Sequence, residues 1–132
     1  MSEIPADLHY SEDHLWVRPD AATGLALVGI TDYAQDSMGD VVNVALPELG
    51  QAVTSGQEFG EIESTKTIND LVSPLDGTVH ARNDVLAQTP ELVNTDPYGQ
   101  GWMLEIGVAP STLDQQLAAL MDAPAYSRQV HD

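Results

Sequence analysis

Cysteine is absent from the 132-residue chain, which excludes disulfides, cysteine nucleophiles, zinc–thiolate sites and iron–sulfur clusters. Positive charge is almost as scarce. One lysine, Lys66, and three arginines, Arg18, Arg82 and Arg128, stand against 21 acidic residues, for a formal net charge of −17. Phosphate backbones are bound by clustered Lys and Arg, so nucleic acid is excluded as a partner and an anionic membrane surface is disfavoured. No stretch approaches the roughly 20 apolar residues of a membrane-spanning helix. Residues 1–7 carry neither the basic and apolar regions of an export signal nor an Arg-rich transit segment, so a cytoplasmic location is expected. His9, His14, His80 and His131 lack zinc-ligand spacing, no metal site is expected, and each reads as a packed or surface residue. No Gly-Lys-Ser or Gly-Lys-Thr phosphate loop occurs.

Against these absences, 42% of residues are hydrophobic and 19% charged, the composition of a globular chain. The length suits a single domain over residues 1–132, with a core over residues 8–121 and a C-terminal tail over residues 122–132 that frays apart from Tyr126 as an anchor. Leu15, Trp16 and Val17, then residues 25–30, are short apolar runs separated by Pro19, Asp20 and Gly24, as in a hairpin. Thr31 is placed to cap a helical turn over residues 32–38 that ends at Gly39. Val42, Val44 and Leu46 alternate with Val41, Asn43 and Ala45 as in a strand closed by Pro47 and Gly50. Residues 58–79 read as two short bent strands, residues 94–101 as turns and residues 102–108 as a last strand. Ser111 is the expected N-cap of a helix whose stripe of Leu113, Leu117, Leu120 and Met121 packs on the core.

The sole lysine sits in Glu61-Ile62-Glu63-Ser64-Thr65-Lys66-Thr67 between two strand candidates. Gly56 and Gly60 precede it and Pro74 and Gly77 follow, a nearly symmetric frame of turns that puts the amine at a hairpin tip. Most lone lysines are solvated surface charges. A point charge on a long stem at a protruding turn is also open to acylation by another enzyme. Ser64 and Thr65 could suggest a nucleophile beside a lysine base, but the sequence offers no orienting group or oxyanion hole, so they read as turn residues.

Glu63-Ser64-Thr65-Lys66 followed by Asp70, Pro74 and Gly77 resembles the lipoylation hairpin of the glycine cleavage system H-protein family. The similarity extends through His9-Tyr10, His14 with Trp16, Gly29-Ile30-Thr31-Asp32-Tyr33-Ala34-Gln35, Gly39-Asp40-Val41-Val42, Leu46-Pro47 and Gly50. Leu92-Val93-Asn94, Asp96-Pro97-Tyr98-Gly99 and Gly101-Trp102 carry it through the C-terminal half, so that it covers about residues 8–126.

The resemblance implies a mainly β barrel-sandwich hybrid of two small antiparallel sheets, with short helices and a helix at the C-terminus. It implies a carrier and not an enzyme, acting in glycine catabolism and one-carbon metabolism. Lipoate would be held covalently on Lys66, and Glu63, Ser64, Thr65 and Thr67 would help lipoylating enzymes recognise the hairpin. The arm would shuttle the aminomethyl group of glycine between glycine decarboxylase (P protein), aminomethyltransferase (T protein) and dihydrolipoyl dehydrogenase (L protein). Strong acidity suits brief encounters with such partners, or serves solubility alone. Lack of cysteine avoids mixed disulfides with a reduced arm, though many small proteins lack cysteine by chance.

The family's usual His-Glu-Trp is here His14-Leu15-Trp16. Its glutamate shelters the loaded arm's amine in a cleft, and leucine accepts no hydrogen bond. The shelter would then come from Glu12, Asp13 or Asp70, with His14 and Asp70 as the cleft residues carried over from the family. Val72 and His80 are further departures. A biotin carrier would show methionines beside the lysine, where Thr65 and Thr67 stand. A 2-oxoacid dehydrogenase lipoyl domain would bring a linker and a second domain. A lipoyl relay to other proteins and an unmodified acidic interaction protein remain as alternatives.

Overall fold

The computed structural model describes residues 3–20 and 22–131, without the His131 side chain, so the reading of that histidine lies outside the described residues. The described residues form nine strands: β1 (His9–Tyr10), β2 (Leu15–Asp20), β3 (Leu25–Ile30), β4 (Val41–Ala45), β5 (Ala52–Val53), β6 (Glu58–Ser64), β7 (Ile68–Val72), β8 (Gly77–Arg82) and β9 (Leu104–Gly107). They form a six-stranded sheet in the order β1-β2-β3-β9-β8-β5 and a three-stranded sheet in the order β4-β6-β7. Every pairing is antiparallel.

The continuous apolar runs of β2 and β3 have a physical reason. Leu15 and Val17 enter the main core with Ala26, Val28 and Ile30, while Trp16 and Leu27 point to a second cluster on the opposite face. Successive side chains leave a strand on opposite faces, so a sheet buried on both reads as a run rather than an alternation. The three-stranded sheet closes the main core with Val44, Ile62 and Leu71. On its other face Glu61 lies opposite Asp70, and Glu63 opposite Ile68. Gly60 marks the place where β4 and β6 approach closely, since a Cβ there would collide with the Ala45 carbonyl.

The expected two bent strands over residues 58–79 are divided between the sheets. β6 and β7 form the lysine hairpin, and β8 pairs with β5 and β9. Irregular registers at Glu58/Gly60 and Val79/Ala81 explain the broken period of two. Helix α1 (Asp32–Met38) is capped as expected, with the Ala34 N–H donating to the Thr31 hydroxyl at 3.2 Å. Among the elements that escaped the sequence reading are the two-residue strands β1 and β5, a 3₁₀ turn at Asp84–Ala87 and a one-turn helix α2 (Leu92–Thr95).

The C-terminal region corrects two expectations. Helix α3 (Pro110–Ala118) starts before Ser111, which is not its cap; Ala109 precedes it and Pro110 occupies the first turn, where a fixed φ and missing N–H cost nothing. Residues beyond Asp122 do not fray but form α4 (Ala123–His131). The Asp122 carboxylate accepts the Ala125 N–H at 2.9 Å, and Ala123, Tyr126 and Val130 face the second cluster at helical spacing. Tyr126 is the anchor anticipated there: fully buried and stacked on Tyr10 with ring centroids 4.7 Å apart. Among the described residues no helix is long and apolar enough to cross a membrane.

Candidate functional site

Lys66 stands exposed at the β6–β7 tip with Thr65 and Thr67 beside it. Short hairpins usually need residues with positive φ, yet among the described non-glycine residues only His14 has one. The Ser64 hydroxyl solves the problem. It accepts the N–H groups of Lys66 and Thr67 at 3.1 and 3.2 Å and donates to the Met38 carbonyl at 2.6 Å, while the Ser64 N–H donates to the Thr67 carbonyl at 2.8 Å. Ser64 is only 5% exposed. It therefore sets the shape of the turn, whereas Thr65, Lys66 and Thr67 present the surface and Glu63 is half-buried.

The tip is braced from below. The Thr65 N–H donates to the Asp40 carbonyl at 3.0 Å, and the lysine stem lies along Gly39, where an added Cβ would come within 3.2 Å of Cε. Gly39 thus ends α1 at φ 84° and leaves room for the stem. Asn94 fixes this segment in turn: its amide donates to the Gly39 carbonyl and Gln35 Oε1, both at 3.0 Å, and its carbonyl accepts the Val41 N–H at 2.8 Å. Sequence reasoning placed Asn94 in the family match but gave it no task, because its partners are up to 59 residues away.

A cleft of about 540 Å³ opens between the hairpin, α1 and the turn at residues 11–14. Leu15, Ile30, Ile62 and Leu71 give it an apolar floor, Glu12 and Asp13 lie on one wall, and Asp70 lines its edge on β7. His14 and Asp70, paired by sequence reasoning, do line the same cleft, as does Leu15, which is 2% exposed. His14 adopts φ 69°. Its ring lies 5.2 Å from that of Tyr33, a wall residue that sequence reasoning missed, and its Nδ1 is 2.9 Å from the Tyr126 hydroxyl. Burial lowers the His14 pKa, against the opposing pull of Asp13, so the neutral imidazole is favoured. At the hairpin base the Asp70 charge raises the Glu58 pKa, with smaller contributions from desolvation, the Asp70 hydrogen bond and Glu61.

A second groove of the same volume lies between the C-terminal helices and the turns around Ser55 and Pro74. It shares Glu12 and Asp13 with the first, but no residue of the β6–β7 tip lines it. Thr67, Ser37 and Met38 line the first cleft and flank the Lys66–Gly39 contact, which makes that cleft the lysine's neighbour.

Residues 8–132 match the family model described as glycine cleavage H-protein. The chain is 53% identical over 129 residues to the glycine cleavage system H protein of Mycobacterium bovis, covering 96% of each. It is 51% identical over 132 residues to that of Mycolicibacterium gilvum, covering both chains completely. A crystal structure of a glycine cleavage system H protein from Mycobacterium marinum superposes with a TM-score of 0.84 at 39% identity, covering 96% of this chain and 98% of that one.

Proposed function

The chain belongs to the glycine cleavage H-protein family, and from that premise we propose that Lys66 is the residue on which it carries lipoate. The observation that carries this is the chain's only lysine, exposed at a braced tip beside a cleft with an apolar floor and carboxylates on its walls. The fit is chemical as well as spatial. A lipoyl chain is apolar for most of its length and suits Leu15, Ile30, Ile62 and Leu71, while an amine carried at its end suits Glu12 and Asp13. Bound there, the dithiolane would supply transfer and redox chemistry that no side chain of this protein offers.

The chain's own residues bind, present and orient. Lys66 would give its Nζ to an amide and lose its charge, leaving Glu61 and Glu63 without a cation at the tip. The role is that of a carrier rather than a catalyst; the Ser64 hydroxyl, buried and occupied by the backbone, shapes the turn and is not free to act as a nucleophile. Its partners would be glycine decarboxylase, aminomethyltransferase, dihydrolipoyl dehydrogenase and the lipoylating enzymes, in the cytoplasm. Successive partners require small interfaces that dissolve quickly, and the net charge of −17 favours rapid encounter over long residence.

Intact mass and peptide mapping after incubation with lipoate, ATP and a lipoate ligase test the assignment. A single lipoyl addition on Lys66 is expected; an unmodified Lys66 with an active ligase would replace the carrier with an acidic interaction protein. A relay of lipoyl groups to other proteins is favoured by one observation, Leu15 in the cleft floor where the family usually has glutamate. Lipoylation without support of glycine cleavage would select it.

A further inference from the structure

Helix α4 bears on the cleft through a buried hydroxyl. Tyr126 Oη lies 2.7 Å from Thr31 Oγ1 and 2.9 Å from His14 Nδ1. Thr31 caps α1, which contributes Tyr33, Ala34, Ser37 and Met38 to the cleft, and His14 belongs to the opposite wall. The Thr31 N–H also donates to the His14 carbonyl at 3.0 Å, so three residues form a closed ring of hydrogen bonds behind the cleft.

Satisfaction of buried groups sets the direction of this chain. Thr31 and Tyr126 are fully buried. Thr31 Oγ1 already accepts the Ala34 N–H at 3.2 Å, and Tyr126 Oη is the acceptor in reach of its own O–H. With the Thr31 O–H donated to Tyr126, the Tyr126 O–H is left for His14 Nδ1, which must then be unprotonated. The reverse direction would strand the Thr31 proton in the interior, at a cost of about 1–3 kcal/mol. Burial raises the Tyr126 pKa to about 12, so the phenol keeps its proton, and the lowered His14 pKa favours a neutral ring.

We infer that the Thr31–Tyr126–His14 chain fixes His14 as the neutral tautomer protonated on Nε2 and makes Tyr126 a positioning residue for a hydrogen-bond donor on the cleft wall. The ring edge away from Tyr126 carries that N–H, and the ligand it suits is an acceptor atom of the carried arm. The carboxylates Glu12 and Asp13 serve the amine, and His14 serves the acceptor. The role toward the arm rests on the carrier reading; the tautomer does not.

Nitrogen NMR of the imidazoles in the full, unlipoylated chain is the experiment. His14 should show an unprotonated Nδ1 and a protonated Nε2. Tyr126→Phe should give a mixed tautomer and speed amide exchange about fivefold at Ala34 and His14, the loss of one net hydrogen bond, with Thr65 and Thr67 unaffected. Tyr10→Phe, which removes a hydroxyl from the same aromatic stack without touching the chain, should leave the His14 tautomer unchanged. On lipoylated protein, Tyr126→Phe should shorten retention of the carried group several-fold at an unaltered extent of Lys66 acylation. A protonated Nδ1, an unchanged tautomer in Tyr126→Phe, or exchange that speeds equally at Thr65 and Thr67 would overturn the inference. Unchanged retention despite a scrambled tautomer would overturn the role toward the arm. Failure of Lys66 to accept lipoate would instead remove the carrier reading and leave the tautomer standing.

Discussion

The β1–β3 part of the six-stranded sheet is buried on both faces, by the main core and by the aromatic cluster under α4, whereas the three-stranded sheet is buried on one face only. The difference separates stability from presentation. Large apolar side chains such as Trp16, Tyr10 and Leu104 lie in or on the larger sheet, each contributing about 1.5–3 kcal/mol through burial. The smaller sheet gives its free face to Glu61, Asp70 and Ile68 and its tip to Lys66, residues with little packing to lose. A carrier visited by several enzymes gains from this division, because the presented hairpin can be read without disturbing what keeps the chain folded.

The sharpest break in that comparison is Lys66→Arg. Acylation should be lost completely while the unfolding free energy stays within about 0.5 kcal/mol of the parent, measured by intact mass and denaturant titration; a large loss of stability would mean that the tip packs after all. Trp16→Ala should do the opposite. Its fully buried ring lies 5.1 Å from the Arg18 guanidinium, and its Nε1–H donates to the Pro97 carbonyl at 2.9 Å, so removal should cost about 3–5 kcal/mol in a denaturant titration. Acylation of the fraction that remains folded should proceed normally.

Ser64→Ala blurs the division, since it removes the one buried hydroxyl that shapes the tip. A loss of about 1–3 kcal/mol is expected, together with a higher KM of the ligase for the carrier, and normal ligase kinetics would show that the turn forms without it. The smallest effect is at His14. Burial holds its folded pKa below the ordinary imidazole value of 6.5, so the unfolded chain takes up the proton first and stability falls as pH drops through 6.5 toward the lower folded value. His14→Asn, which tolerates positive φ, should lose less stability than the parent over that interval in thermal melts.

Legibility in the sequence followed the same division. The lysine tip was readable because its signal is local: a single lysine framed by turns within one hairpin. The cap at Thr31 and the β2–β3 hairpin were readable for the same reason. Helix α4 was not, since its stability comes from stacking Tyr126 on Tyr10, 116 residues earlier in a chain of 132. Asn94 and Tyr33 were hidden likewise, their tasks set by partners across the fold. The cleft residues His14 and Asp70 came from the family resemblance alone, because neither spacing nor composition links two residues on separate strands and turns.

The most direct test of the central claim is glycine cleavage reconstituted from the three partner enzymes with this protein, lipoylated, as the sole carrier. The account expects turnover that depends on added carrier and vanishes with Lys66→Arg. Turnover that survives that substitution would contradict it.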